Sequence, residues 1–191
     1  MAIERDEAIW IGGHQRHGGQ IELAEYDPGW RDWFEREARR IRTALGSTVM
    51  VLEHAGSTAV PGLAAKPVLD IVLAVPDSTN ERAYLPQLEA AGYTLAIREP
   101  DWYEHRVVKD TDPRVNVHIF SAGCEEIARM LTFRDWLRAH DVDRALYERT
   151  KRELAQREWA YIQDYADAKT DVVRSILARA TAAGAGERTD R

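Results

Sequence analysis

Gly56-Ser57 follows a short apolar run, Val49 to Leu52, and Asp70 stands near the start of a second run, Val68 to Val75, after the twelve residues 58–69. Glycine lets backbone approach an anion closely, and the turn amides and the serine hydroxyl can then hydrogen-bond phosphate oxygens. If the two runs are adjacent strands, this spacing brings a carboxylate beside the Gly-Ser turn. A carboxylate there could hold Mg²⁺ that bridges phosphates. Lys66, on the connecting loop, adds a positive charge. A plainer reading stands beside this one, with Gly56 relieving a steric clash and Ser57 capping a helix. Asp70 lies among apolar residues, and a buried carboxylate is costly unless paired. It therefore calls for a metal, Lys66 or another basic side chain at its side.

The elements that must position these residues are legible from periodicity. Trp30, Trp33, Phe34, Ala38, Ile41 and Leu45 recur at helical spacing, with Gly46 as the stop. The runs Val49–Leu52 and Val68–Val75 read as buried strands, and Ile21–Leu23 as a short one. Glu81–Ala91 reads as a helix, and Tyr93–Ile97 as a strand. Arg106–Val108 and Val115–Phe120 read as an antiparallel pair turned at Thr111-Asp112-Pro113. After Gly123 the chain reads as three helices, Glu125–His140, Asp143–Trp159 and Tyr161–Ala182. The expected organisation is one domain over residues 21–183. A loosely ordered lead-in over 1–20 precedes it, and a flexible tail over 184–191 follows. The fold class is α/β (α+β), a small mixed sheet flanked by helices with a helical C-terminal third.

Alternation along Val117-His118-Ile119 turns His118 to the face opposite its neighbours, either lining a pocket beside Asp70 or half-buried on the strand. His54, just before the turn, either orients Ser57 or is a satisfied core histidine. Trp30, Trp33, Trp136 and Trp159 read as packing residues, and Cys124 has no motif around it.

Composition narrows the function classes. The chain has 191 residues, 45% of them hydrophobic, enough for a sizeable core. Its formal net charge of −6 offers no global attraction to nucleic acid. The single cysteine rules out an internal disulfide. No apolar stretch approaches the roughly 18 residues of a membrane span. The expected location is cytoplasmic, away from membrane.

The block His54 through Asp70, with Gly56-Ser57-Thr58, Ala59-Val60-Pro61-Gly62-Leu63 and Lys66-Pro67, resembles the GrpB family (UPF0157). Tyr26-Asp27-Pro28 with Trp30, His118, Phe133-Arg134-Asp135 with Leu137, Tyr147 with Lys151, and Tyr165 with Lys169 extend the resemblance over roughly 21–180. More broadly, a Gly-Ser turn, a spacer of this size and an acid opening the next strand resemble the nucleotidyltransferase superfamily, which implies a nucleotidyltransferase-like sheet. Catalytic members carry a second acid two residues beyond the first, where this chain has Val72, and a third on a later strand, where it has His118. Two-metal transfer needs several carboxylates around cations about 4 Å apart, and Asp70 alone is not enough. Glu99, Asp101 and Asp112 are candidates for the missing acid, although loop positions explain them equally well.

The resemblance implies two functions. One is nucleotidyl or phosphoryl transfer on a nucleotide or phosphometabolite. Gly56, Ser57 and Thr58 would hold phosphate, Asp70 would hold Mg²⁺, and His118 would be base or ligand. Lys66, Arg134 and Lys151 would neutralise charge. The other is a non-catalytic module binding such a ligand. Some GrpB domains are joined to a dephospho-CoA kinase, which suggests an adenine nucleotide or a coenzyme A precursor.

Overall fold

In the computed structural model of the protein, residues 8–11, 13, 18–111 and 114–189 are described, with side chains to 184. Asp112 and Pro113, at the centre of one expected turn, lie outside them. The described strands are β1 (Ile9–Trp10), β2 (Val51–Ala55), β3 (Leu69–Val75), β4 (Thr94–Glu99), β5 (His105–Thr111) and β6 (Arg114–Ser121). The described α-helices are α1 (Gly29–Leu45), α2 (Leu85–Ala90), α3 (Glu125–Ala139), α4 (Asp141–Ala155), α5 (Ile162–Asp167) and α6 (Thr170–Thr189). All six strands join one mixed sheet in the order β1-β4-β5-β6-β3-β2. Only the β3–β6 pair in it is parallel.

β3 is the hub because it is apolar on both faces. Leu69, Ile71, Leu73 and Val75 pack with Ile41 and Leu45 of α1 and Leu88 of α2, whereas Val72 and Ala74 pack with Phe120 of β6 and Ile127 of α3. Fully burying a side chain of this size contributes about 1.5–3 kcal/mol. The strand period of two therefore sends Asp70, like Val72 and Ala74, toward the second face. β6 obeys the same rule. Val115, Val117 and Ile119 enter the α1 core, so Asn116 and His118 share the other face.

Several boundaries move for physical reasons. Ile21–Leu23 is no strand, and Ala24 instead makes an isolated bridge to Ala65, so this segment pairs with a loop rather than a sheet edge. Within the expected lead-in, Ile9–Trp10 adds to the sheet beside β4. The helix expected over 81–91 divides into a 3-10 turn, Glu81–Ala83, and α2, where Pro86 sits in the first turn. Proline has no N–H and blocks a continuous helix through it. The helix expected over 161–182 divides at Ala168–Lys169 without glycine or proline, while Tyr165 on α5 packs with Ile21 and Leu154. Among the described residues, no helix is long and apolar enough to cross a membrane.

Candidate functional site

Strand register assembles the site. Ala55 of β2 pairs with Asp70 of β3, so the chain leaves β2 at Gly56 directly beside the carboxylate. Asp70 is opposite Asn116 of β6, and Asn116 is opposite Lys109 of β5. Gly56 adopts φ 66°, and a Cβ there would lie 2.9 Å from the Asp70 Cβ. The glycine is thus demanded both by backbone conformation and by the carboxylate behind it.

The Gly-Ser turn is held from below and from the side. Thr58 is buried, its hydroxyl 3.0 Å from His54 Nε2 and 3.4 Å from the Val68 carbonyl, to which it donates. His54 stacks on Phe34 with ring centres 4.9 Å apart. Burial pushes the His54 imidazole down to about 4, with Arg138 and Arg134 adding to the effect and Asp70 opposing it. His54 is therefore a neutral core residue that fixes the turn through Thr58. Arg134 does similar work, donating to the His54 carbonyl at 2.8 Å, to Glu53 at 2.9 Å and to Asp135 at 2.8 and 3.0 Å. Its guanidinium braces α3 against β2, a duty the sequence reading of a free anion clamp did not include.

Ser57 faces a cavity of about 760 Å³ also lined by Lys66, Asp70, His118, Lys151 and Lys169. Lys151 is 2% exposed, and its ammonium donates to Ser57 Oγ at 3.2 Å and to the Ala64 carbonyl. On an amphipathic helix this lysine reads as solvated; α4 instead turns it inward over Tyr147, 4.9 Å from the ring centre. Lys66 and Lys169 are half-buried and share Tyr165, at 5.7 and 4.3 Å from its ring centre. Burial, reinforced by Lys169, pushes Lys151 down to about 7 and Lys66 to about 8. Burial also lowers Lys169 to about 8, partly offset by Asp70. Lys109 is lowered too, again chiefly by burial. Burial pushes the Tyr147 hydroxyl up to about 12, opposed by its contact with Ser57. Among the described residues none of these four lysines has an ion-pair partner.

Asp70 accepts from Asn116 Nδ2 at 3.0 Å, and His118 Nε2 lies 3.5 Å from the same oxygen. Burial alone would raise its carboxyl, but His118, Asn116 and the charge of Lys66 together hold it below the usual carboxylate range. Lys66 itself makes no direct ion pair with it. Asp70 offers Mg²⁺ a single carboxylate beside the Gly-Ser turn, so a cation there would take its further ligands from phosphate and water. Among the described residues no group of three or more His, Cys, Asp or Glu side chains could hold a metal ion. Asp70 already has an amide donor on one oxygen, and the surrounding charges are ammonium groups. Asp101 is exposed in the β4–β5 loop, whereas Glu99 is buried at the end of β4. Sequence reasoning did not single out Asn116, His105 or Lys109 for the site. Alternation along β6 would have grouped Asn116 with His118, but the other two needed the β5–β6 register.

The site is thus a lysine-rich pocket over one face of a mixed α/β sheet, with a Gly-Ser turn at its rim. The family profile described as GrpB protein matches residues 20–179, and the chain belongs to that family. It is 54% identical to the UPF0157 protein BH1888 of Halalkalibacterium halodurans, covering 94% of this chain and 92% of that one. It is 32% identical to a dephospho-CoA kinase of Mycolicibacterium paratuberculosis, covering 93% of this chain but 53% of the kinase. Among solved structures, a conserved protein GrpB from Enterococcus faecalis superposes with a TM-score of 0.73 at 30% identity, over 83% of this chain and 96% of that one.

Proposed function

We propose that the protein binds a phosphorylated small molecule, a nucleotide or phosphometabolite, with its phosphates on Ser57, Lys66, Lys151 and Lys169. One observation carries this reading: lysines are drawn into a single cavity and, among the described residues, none of them makes an ion pair with a carboxylate. Withdrawing ammonium groups from water is costly without a counter-ion. A phosphate seated beside Ser57 removes that cost. The partial match to dephospho-CoA kinases favours an adenine nucleotide or a coenzyme A precursor among the candidates.

Transfer chemistry is the second reading, and the contact of Asp70 with His118 at the cavity wall favours it. The Gly-Ser turn beside an aspartate on the next strand supports a nucleotidyltransferase-like ancestry. In such a reaction the lysines, rather than Mg²⁺, would neutralise developing charge on phosphate.

The test is a thermal-shift series with ATP, coenzyme A precursors and tripolyphosphate, each with EDTA and with Mg²⁺. A ligand at a hundred times its Kd stabilises the fold by about 2.7 kcal/mol. The expected result is stabilisation that persists in EDTA and is lost in Lys169→Met. Wild-type stabilisation undiminished in Lys169→Met and Ser57→Ala would overturn the site assignment.

A further inference from the structure

Register lays a polar row across the floor of the cavity. Asp70 of β3 is opposite Asn116 of β6, Asn116 is opposite Lys109 of β5, and Lys109 is opposite Thr94 of β4. The next residues along these strands, Leu69, Val115, Val108 and Leu95, all enter the α1 core. The strand period of two therefore turns the row to the opposite face, and all four of its residues line the cavity. Adjacent strands lie about 4.8 Å apart, so Lys109 stands two strands, or about 10 Å, from Asp70 along the floor.

The remaining lysines close over this floor from the other side. Lys151 of α4 holds Ser57 Oγ at 3.2 Å, and Lys66 and Lys169 share the Tyr165 ring. Burial is the main reason these lysines are lowered, and their mutual repulsion adds to it. The charge of Lys169 acts on both Lys151 and Lys66, and that of Lys109 acts on Lys66. The ammonium groups thus run in sequence from Ser57 through Lys151, Lys169 and Lys66 to Lys109. At the far end the Lys109 ammonium lies 5.8 Å from the ring centre of Trp10.

Other cations of the cavity are already matched. Arg129 pairs with Glu126 at 2.6 Å, and Arg134 with Glu53 and Asp135 at 2.9 and 2.8 Å. Asp70 opposes the lowering of Lys66, Lys109 and Lys169, although among the described residues no ion pair joins it to any of them. One carboxylate among four lysines leaves most of the positive charge unmatched. A single phosphate seated at Ser57 meets the near end of this series and leaves Lys109, partly withdrawn from water, without an anion. A chain of phosphates meets both ends.

We propose that the site takes a linear di- or triphosphate chain rather than a monophosphate, and that Lys109 binds the phosphate group farthest from Ser57. This rests on the phosphate-binding reading and adds to it the length of the anion.

The experiment is calorimetric titration in EDTA with orthophosphate, linear tripolyphosphate and cyclic trimetaphosphate, on wild type, Lys109→Met and Lys169→Met, with a thermal melt of each to show that it is folded. Trimetaphosphate carries three phosphates in a compact ring and separates reach from charge. In wild type, linear tripolyphosphate is expected to bind at least about tenfold more tightly than either other anion. Loss of one charge-assisted contact in Lys109→Met is expected to weaken linear tripolyphosphate about tenfold and to leave the other two within about twofold. Lys169→Met is expected to weaken all three. Equal wild-type affinity for the ring and the linear chain would overturn the proposal, and this comparison decides alone if Lys109→Met does not fold. A Lys109→Met effect that is absent, or the same for ring and chain, would also overturn it. Either result with Lys169→Met still weakening orthophosphate leaves the phosphate site standing, whereas a folded wild type that binds none of the three anions removes both.

Discussion

Gly56 and Asp70 occupy the same end of two paired strands, so closely that a Cβ on Gly56 would stand 2.9 Å from the Asp70 Cβ. The turn and the carboxylate are therefore packed as one unit, and a side chain at position 56 would meet Asp70.

Gly56→Ala places a side chain at φ 66° and against that carboxylate. Holding an L residue in such a conformation costs about 1–3 kcal/mol. Denaturant melts are expected to show at least this loss, together with weakened ligand binding. A variant as stable as wild type would mean that the turn relaxes.

Lys169→Met removes one of the ammonium groups over Tyr165. Because Lys169 lowers both Lys66 and Lys151, its removal lets both rise toward ordinary lysine values. The free protein should be no less stable at neutral pH, while affinity for a phosphate ligand falls at least tenfold, or about 1.4 kcal/mol. Calorimetric titration and a thermal melt of the same sample measure both.

The same lysines set a pH dependence. Their folded values of about 7 to 8 lie below the unfolded lysine value of about 10.4. Between these limits the unfolded chain holds more protons, so stability of the free protein should rise from pH 7 to pH 9.5. Binding an anion favours protonated lysine, so binding at pH 8 should take up protons and weaken as pH rises. Titrations in buffers of different ionisation enthalpy would show the uptake. Proton release on binding would contradict it.

His54 acts with the same sign in a lower pH window. Its folded value of about 4 lies below the usual histidine range, so the unfolded chain takes up protons first as pH falls from 6.5 to 4. Stability should decline across that window by at most about 3 kcal/mol from this residue. His54→Phe, which keeps the stack on Phe34, should flatten that part of the acid profile. Equal slopes in both proteins would show that His54 does not set it.

The sequence by itself determined the Gly56-Ser57 turn, the placement of Asp70 on the following strand, and the turning of His118 to the face opposite Val117 and Ile119. Each follows from local chemistry: glycine's conformational freedom, a strand period of two, and turn residues between apolar runs. The GrpB resemblance was equally legible, because the block from His54 to Asp70 is contiguous. What only the tertiary structure decided depends on contacts between segments far apart in the chain. Lys151 and Lys169 look like solvated helix charges, and only the packing of the C-terminal helices against the loop from Ser57 to Lys66 turns them inward. Arg134 looks like a free clamp until its donors meet Glu53, Asp135 and the His54 carbonyl. The row from Asp70 to Thr94 exists only because four strands adopt one register, and register is set by the pairing of whole strands, which no single segment specifies.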